Sequence, residues 1–345
     1  MPLHQNIQRL LLLGAHLEMP HEAPMPVPPK RLQPLIEALA SAHREAEQRA
    51  IRYGHRYRSG FWAIYLLSAI AVFCAVMPMA LGWDTLGDDM HPFAGAWVVA
   101  ELLVIGTVLV IYWRGHRSDW QGEWLRARTS AELTSYLPLL APLVDFSVQD
   151  ADPNWYLRVL DPGPHLRASD DVPRLCQLNE SKARERLAGA WSDPEFLSSY
   201  AQWAIAILQG QKNYHARTAA RSHALLHRVH RLTIGLFALT GIGAMAHLFI
   251  HSRKITLLTT FFPALAAALH GALAQSEAYR LHATSERVAA NLQVAIDDIR
   301  TALQGGPGQS IEQALKRAVE DAIALILEEH QDWHMLVRPH HLPLA

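Results

Sequence analysis

Two apolar stretches separated by a short polar segment decide the fold: FWAIYLLSAIAVFCAVMPMAL at residues 61–81 and PFAGAWVVAELLVIGTVLVIYW at residues 92–113. Each has about 20 residues. A helix of that length, at about 1.5 Å per residue, matches the roughly 30 Å hydrocarbon core of a bilayer. The segment between them carries aspartates but no Lys or Arg. The pattern predicts a transmembrane hairpin whose turn lies outside the membrane.

One carboxylate, Glu101, lies inside the second stretch. An acidic side chain in a membrane span is costly to insert and often marks a path for ions or protons. We therefore expect Glu101 to line a pore, with His247 and His270 of the later apolar stretches as its candidate partners. The alternative is a structural role, in which Glu101 hydrogen-bonds a neighbouring polar side chain.

A second apolar pair follows at residues 232–250 and 255–272, with only His251-Ser252-Arg253-Lys254 between its members. These stretches are near the lower limit for spanning, so re-entrant or soluble hydrophobic helices are the alternative. Small residues on the first of them, Gly235, Gly241, Gly243 and Ala246, predict close helix approach.

Arginines gather on one side of both pairs, and the positive-inside rule then places both termini in the cytoplasm. They are Arg44, Arg49, Arg52, Arg56, Arg58, Arg114, Arg117, Arg126, Arg128, Arg217, Arg221, Arg228, Arg231, Arg280 and Arg287. Arg253 and Lys254, in the second turn, oppose this topology. The predicted location is a bacterial inner membrane.

The remaining sequence divides into polar helices and loops. Residues 1–34 are proline-rich and predicted to be a disordered tail, and a basic helix then leads into the first hairpin within a unit of residues 35–113. Residues 114–231 form a cytoplasmic helical region, with Asp193-Pro194 as a helix start signal. Residues 232–303 comprise the second hairpin and an exit helix, and residues 304–345 an amphipathic helix and tail. Each half has a basic helix, two spans and an exit helix, which suggests either an internal repeat or the convergence of two ordinary hairpins.

Composition and motifs argue against several functions. Half of the residues are hydrophobic and the net charge is −1, so we expect a bilayer rather than nucleic acid as the partner. No glycine-rich phosphate loop, Gly-x-Ser-x-Gly or His-Glu-x-x-His motif occurs, so the sequence predicts no enzyme and no cofactor. His223, His227 and His230 share one helix with no second ligand segment apparent, so we interpret them as boundary histidines rather than a metal site.

Three short motifs resemble one known family. Trp124-Leu125-Arg126-Ala127-Arg128-Thr129-Ser130-Ala131-Glu132-Leu133 follows the first hairpin, Gln211-Lys212-Asn213-Tyr214-His215 precedes the second, and Glu329-x-x-Asp332-Trp333 lies near the end. This arrangement is similar to the SLATT group, the SMODS- and SLOG-associating two-transmembrane effector domains of bacterial conflict systems. The family is described by one hairpin, whereas two are predicted here.

The resemblance implies an oligomeric membrane effector of antiphage defence. It would form a pore or disrupt the membrane when a cytoplasmic sensor protein or nucleotide signal triggers it. Trp124, Arg128, Glu132, Tyr214, His215 and Trp333 would hold its cytoplasmic helices together. The expected fold is an all-α polytopic membrane protein with two transmembrane hairpins and long cytoplasmic extensions. A constitutive small-ion channel or transporter is one alternative. A membrane scaffold that docks a soluble partner on the helix of residues 309–329 is another.

Overall fold

The computed structural model describes residues 2–13, 27–83, 93–143, 185–250, 252–304 and 311–336, with side chains to residue 326 in the last range. The regular structure in these ranges is entirely helical. In chain order the α-helices are α1 (Leu3–Leu11), α2 (Gln33–Leu81), α3 (Ala94–Arg117), α4 (Trp120–Leu140), α5 (Pro194–His247), α6 (Arg253–Gln275), α7 (Ala278–Leu303) and α8 (Ile311–Leu336).

Two very long helices set the dimensions of the molecule. Helix α2 has 49 residues and α5 has 54, so they are about 74 and 81 Å long. Each begins polar and ends apolar, and only the apolar part is needed to cross a bilayer. The predicted start of α5 is confirmed, because the Asp193 carboxylate accepts hydrogen bonds from the backbone N–H groups of Glu195 and Phe196 at 3.0 and 3.4 Å.

The two halves of the chain repeat one arrangement, in agreement with the predicted internal repeat. In each half a long helix (α2 or α5) is followed by a return helix (α3 or α6), and an exit helix (α4 or α7) then packs back along the long helix. The return and exit helices are joined at an acidic residue with positive φ, 40° at Asp119 and 52° at Glu277. An arginine of the exit helix holds each acid, Arg126 with Asp119 at 3.0 Å and Arg280 with Glu277 at 2.9 Å.

Within the residues that the structure describes, four helical segments are long and apolar enough to cross a membrane. They belong to α2, α3, α5 and the segment Arg253–Leu303. The extensive helix contacts run from α3 to α2, from α2 to α6 and from α6 to α5. The end of α2 at Gly82 lies beside Arg253 at the start of α6, so the two hairpins have the same orientation. The exit helices, α1 and α8 lie toward the other end of the hairpins, beside the polar parts of α2 and α5.

Two apolar cores lie at different positions along the long helices α2 and α5. The distal core is built from α4, the start of α5, α7 and α8, with Leu139, Leu208, Ile296 and Val319 fully buried. The boundary core lies where the spans meet the polar helices, and Phe61, Trp62, Val229 and Ala272 are among its buried members. The protein therefore continues as a packed helical bundle beyond the apolar segments.

The N-terminal segment differs from the predicted disordered tail. Residues Leu3–Leu11 form α1, in which Ile7 and Leu11 pack against the boundary core. Leu32, near the end of the same segment, is fully buried in the distal core. Apolar residues at helical spacing form this helix in spite of the proline-rich composition. The prolines of residues 1–34 do not interrupt it, because all of them except Pro2 follow the helix. The stretch 14–26 lies outside the described residues.

Helix α8 is not the free docking helix that the scaffold hypothesis requires. Its apolar side chains Leu315, Val319, Ala322 and Ile323 are buried in the distal core. The amphipathic pattern was predicted correctly, but the partner of the apolar face is the chain itself.

The predicted small-residue surface is also only partly used within the chain. A Cβ at Gly243 would lie 3.4 Å from Thr259 of α6, whereas a Cβ at Gly235 or Gly241 would meet nothing within 4 Å. Close approach of α5 and α6 is therefore confined to Gly243 among these glycines.

Candidate functional site

A cluster of charged and aromatic side chains lies where the apolar segments meet the polar helical bundle. We define the boundary cluster as Arg58 of α2, Trp124, Arg128 and Glu132 of α4, and Tyr214 of α5. The Arg58 guanidinium carbon lies 4.8 Å from the centre of the Trp124 ring, and Arg128 forms an ion pair with Glu132. The side chain of Tyr214 acts electrostatically on both arginines. Three helices of the two repeats therefore converge at this cluster.

The two arginines of the cluster experience opposite environments. Desolvation lowers the pKa of Arg58, the Tyr214 hydroxyl counteracts it, and Arg128 and Arg221 lower it further. For Arg128 desolvation is the largest effect and acts in the same direction, but the Glu132 carboxylate together with Tyr214 and Tyr136 outweighs it, so the pKa is raised. Both guanidinium groups remain protonated at neutral pH. Arg128 is thus compensated by an acid, whereas Arg58 is held beside other positive charges.

Helix α2 packs against the Trp124 side chain of the cluster. Trp124 is only 8% exposed and stacks on Tyr57, with ring centres 5.9 Å apart. Gly54 makes room for the indole, because a Cβ there would lie 2.9 Å from Trp124 Nε1. The absence of a side chain at Gly54 therefore sets how closely α4 approaches α2.

Helix α1 covers the cluster on another side. His4 is 3% exposed, and its Nδ1 lies within hydrogen-bonding distance, 3.0 Å, of Ser59 Oγ. Arg221 of α5 donates a hydrogen bond to Gln8 Oε1 at 2.9 Å. Burial lowers the pKa of His4 to about 4, with Arg58, His55 and Arg221 adding to the effect. His4 is therefore a neutral side chain placed among cations.

The two hairpins contact each other directly beside this site. Gln275 Nε2 at the end of α6 donates a hydrogen bond to the Tyr57 hydroxyl at 2.9 Å. One turn deeper, a Cβ at Gly271 would lie 2.5 Å from Tyr65 Cε1. Phe73 and Phe261 continue the contact with ring centres 5.1 Å apart. Movement of one hairpin relative to the other would therefore disturb the base of the boundary cluster.

Three histidines meet on the neighbouring surface of α5 and α7. His223 and His227 approach to 3.0 Å between their Nε2 atoms, and the His282 ring centre lies 4.9 Å from that of His223. His282 lies on a second helix, α7, and the sequence did not reveal that it meets the histidines of α5. The exposed His230 is not part of the contact. In the described part of the chain, no group of three or more His, Cys, Asp or Glu residues has an arrangement that could hold a metal.

The residues expected to line a pore are not brought together within one chain. Glu101 is half-buried on α3 and lies close enough to Cys74 of α2 to act on it electrostatically. His247 is at the turn end of α5, and His270 is exposed near the opposite end of α6. No hydrogen bond or ion pair joins Glu101 to either histidine among the residues that the structure describes. A pore role for these three residues stays a prediction.

Five of the six family-motif residues come together, although their motifs are far apart in sequence. Trp124, Arg128, Glu132 and Tyr214 belong to the boundary cluster. His215 is 6% exposed and lies edge-on to Tyr214, with ring centres 5.2 Å apart. Trp333 belongs to α8, but its side chain lies outside the described residues.

Sequence reasoning missed the residues that complete this site. Arg58 was used only as a topology signal, and His4 and Gln8 were assigned to the tail. The spacing of Leu3, Ile7, Leu10 and Leu11 is the helical signal that would have indicated α1. Nothing in the local sequence pairs Gln275 with Tyr57, because the two are more than 200 residues apart.

The comparison with known families supports the resemblance for the second half of the chain. Residues 207–333 match the family model described as SMODS and SLOG-associating 2TM effector domain 1. This range contains α6, α7, most of α5 and α8, and the motifs at residues 211–215 and 329–333. The motif at residues 124–133 lies outside it. No curated protein and no solved structure matches the chain.

Proposed function

We propose, on the premise that residues 207–333 are a SMODS and SLOG-associating 2TM effector domain, that this protein is a membrane effector of a bacterial conflict system that permeabilises the inner membrane. Several copies assemble when a signal arrives, and both termini lie in the cytoplasm. The family match carries this proposal, since it assigns an effector role to the hairpin of α5 and α6.

The arrangement of the spans supports assembly from several copies. The spans lie in the order α3, α2, α6, α5, and a single row of four helices encloses no central path. Of the residues of α3, only Ala94, Val108 and Gly115 are buried. Most of its surface is therefore available to lipid or to another copy, and a pore would form between chains rather than within one.

Glu101 is the carboxylate that such an assembly would place along the path. It lies about 10 Å from the turn end of α3, counting 1.5 Å per residue from Ala94. A charge at that depth is tolerated where it faces water or protein rather than lipid. Repetition of Glu101 around an oligomer would favour the passage of cations.

Induced expression in bacteria, with growth and dye uptake as readouts, tests this proposal. The wild type is compared with Glu101→Gln, which keeps the side-chain size and removes the charge. Glu37→Gln is the matched control, because Glu37 is an exposed residue of the polar part of α2. Membrane insertion of each variant is verified by fractionation.

The expected result is dye uptake and growth arrest with the wild type and Glu37→Gln, and a loss of both with Glu101→Gln. Dye uptake that persists in Glu101→Gln would remove the carboxylate from the path but keep the permeabilising function. Normal growth without dye uptake, when the protein is inserted and its oligomers are detected by cross-linking, would contradict permeabilisation.

A further inference from the structure

The charges around α1 are unbalanced. Arg128 of α4 and Arg221 of α5 both lie close enough to Arg58 of α2 to act on it electrostatically. Glu132 pairs with Arg128, but Arg58 and Arg221 form no ion pair with any residue that the structure describes. Like charges held near one another repel, so the cluster is favoured by an added anion.

The helix that covers these arginines brings no negative charge to them. Helix α1, with the sequence LHQNIQRLL, contains no Asp or Glu. It presents the neutral His4 and the Gln8 amide to the cluster, and its own Arg9 is close enough to Arg221 to act on it electrostatically. Helix α1 is therefore docked by the polar contacts of His4 and Gln8 and by apolar contacts of Ile7, Leu11 and Leu12 with the boundary core, and it leaves the positive charges unneutralised.

The geometry matches the chemistry of phosphate. A guanidinium group can donate two parallel hydrogen bonds to phosphate oxygens, and it keeps its charge in a desolvated site. Arg58 is held by the Trp124 ring, which restricts its motion, and the Tyr214 hydroxyl nearby is a further donor. Arg58 also stands three residues before the apolar run that begins at Phe61. This is the depth at which lipid headgroups meet the cytoplasm.

We propose that Arg58, Arg128 and Arg221 form a binding site for a phosphate-bearing anion, and that this anion and α1 compete for the site. The phosphate belongs either to an acidic lipid headgroup or to a soluble molecule. In this proposal the boundary cluster binds a phosphate-bearing ligand, and α1 is the cover that the ligand displaces. Neither step depends on permeabilisation.

Binding is measured with the full chain in nanodiscs. Inorganic pyrophosphate is titrated calorimetrically into protein in phosphatidylcholine discs, which tests a soluble phosphate. A second preparation contains phosphatidylglycerol, which tests a lipid headgroup. The position of α1 is followed by the distance between spin labels at Leu10→Cys and Tyr279→Cys, both highly exposed sites, in a background without Cys74 and Cys176.

The test variant is Arg58→Gln with Arg221→Gln, and the matched control is Arg52→Gln with Arg317→Gln. The control changes the net charge equally at exposed positions away from the cluster. Loss of two charge-assisted contacts is expected to weaken binding on the order of tenfold or more, whereas the control binds like the wild type. Arg58→Lys, which keeps the charge but not the planar fork, serves if the double variant does not fold.

A soluble ligand is indicated if pyrophosphate binds in neutral discs and lengthens the label distance. A lipid ligand is indicated if phosphatidylglycerol alone lengthens it. The proposal is overturned if neither anion binds, if binding is unchanged in the double variant, or if an anion binds while the label distance stays the same. Because dye leakage is not a readout, failure of permeabilisation would leave this result unaffected.

Discussion

Gln275 donates a hydrogen bond to the hydroxyl of Tyr57 over 2.9 Å, which joins the end of the second hairpin to the helix that enters the first. Tyr57 is buried and stacks on Trp124, so this contact connects the family-matched part of the chain to the α4 side of the boundary cluster. Displacement of α6 would thus be transmitted to the arginines through one aromatic pair.

Tyr57→Phe is expected to destabilise the protein by about 1 kcal/mol, because it removes the hydrogen bond and leaves the Gln275 amide without its partner. Denaturation in detergent, followed by circular dichroism, measures the change. Tyr279→Phe is the control, since Tyr279 is largely exposed and the variant should unfold like the wild type. Equal stability of the two variants would contradict a structural role for the hydroxyl.

Gly271→Ala is expected to separate α6 from α2, because the new Cβ would overlap the Tyr65 ring at 2.5 Å. Overpacking of this kind costs about 1–3 kcal/mol. Gly106→Ala adds the same methyl group to α3, where nothing lies within 4 Å, and is expected to leave the stability unchanged or to raise it by up to about 1 kcal/mol. Thermal unfolding in detergent compares the two, and an unchanged midpoint for Gly271→Ala would show that the Tyr65 ring moves aside freely.

Gly54→Ala should disturb the boundary cluster directly, since its Cβ would lie 2.9 Å from Trp124 Nε1. We expect a loss of about 1–3 kcal/mol and a changed tryptophan emission as the indole shifts. Gly210→Ala is the matched control on α5, in open space, and is expected to stabilise the helix by up to about 1 kcal/mol. A Gly54→Ala protein as stable as this control would mean that α4 does not depend on the close approach.

Docking of α1 is expected to weaken in acid. Free His4 titrates near 6.5 and docked His4 near 4, because burial, Arg58, His55 and Arg221 disfavour its charged form. Between these pH values the undocked state binds more protons, so docking is complete above about pH 6.5 and is lost as the pH falls toward 4. The full effect is up to about 3 kcal/mol, at about 1.4 kcal/mol per pH unit.

The distance between spin labels at Leu10→Cys and Tyr279→Cys, measured at pH 7.5 and pH 5, checks this dependence. His4→Gln keeps a neutral polar side chain and should remove most of the change. Burial also lowers the pKa of His55, so a smaller acid effect is expected to remain in that variant. An equal response of His4→Gln and the wild type would assign the pH dependence to other groups.

Several features followed from local sequence alone. The spans near Phe61 and Ala94 are predictable because length and hydropathy are local properties. The start of α5 is predictable because Asp193 and Pro194 satisfy the first backbone groups of the helix without outside help. The helical period of residues 311–326 identifies an apolar face, but period says nothing of what covers that face. This is why the scaffold alternative could place a docking surface on α8, whose apolar face is in fact covered by the distal core.

The sequence by itself therefore determined that the chain is helical, that it has segments apolar enough to cross a membrane, and that it repeats a hairpin with a basic helix before it. Residues 207–333 also match the family model of the SMODS and SLOG-associating 2TM effector domain. Only the tertiary structure decided that Tyr57 meets Gln275, that His282 joins His223, and that α1 lies over Arg58 and Arg221. These contacts link residues tens to hundreds of positions apart, and they depend on shape and charge complementarity between whole helix faces, which no local pattern records.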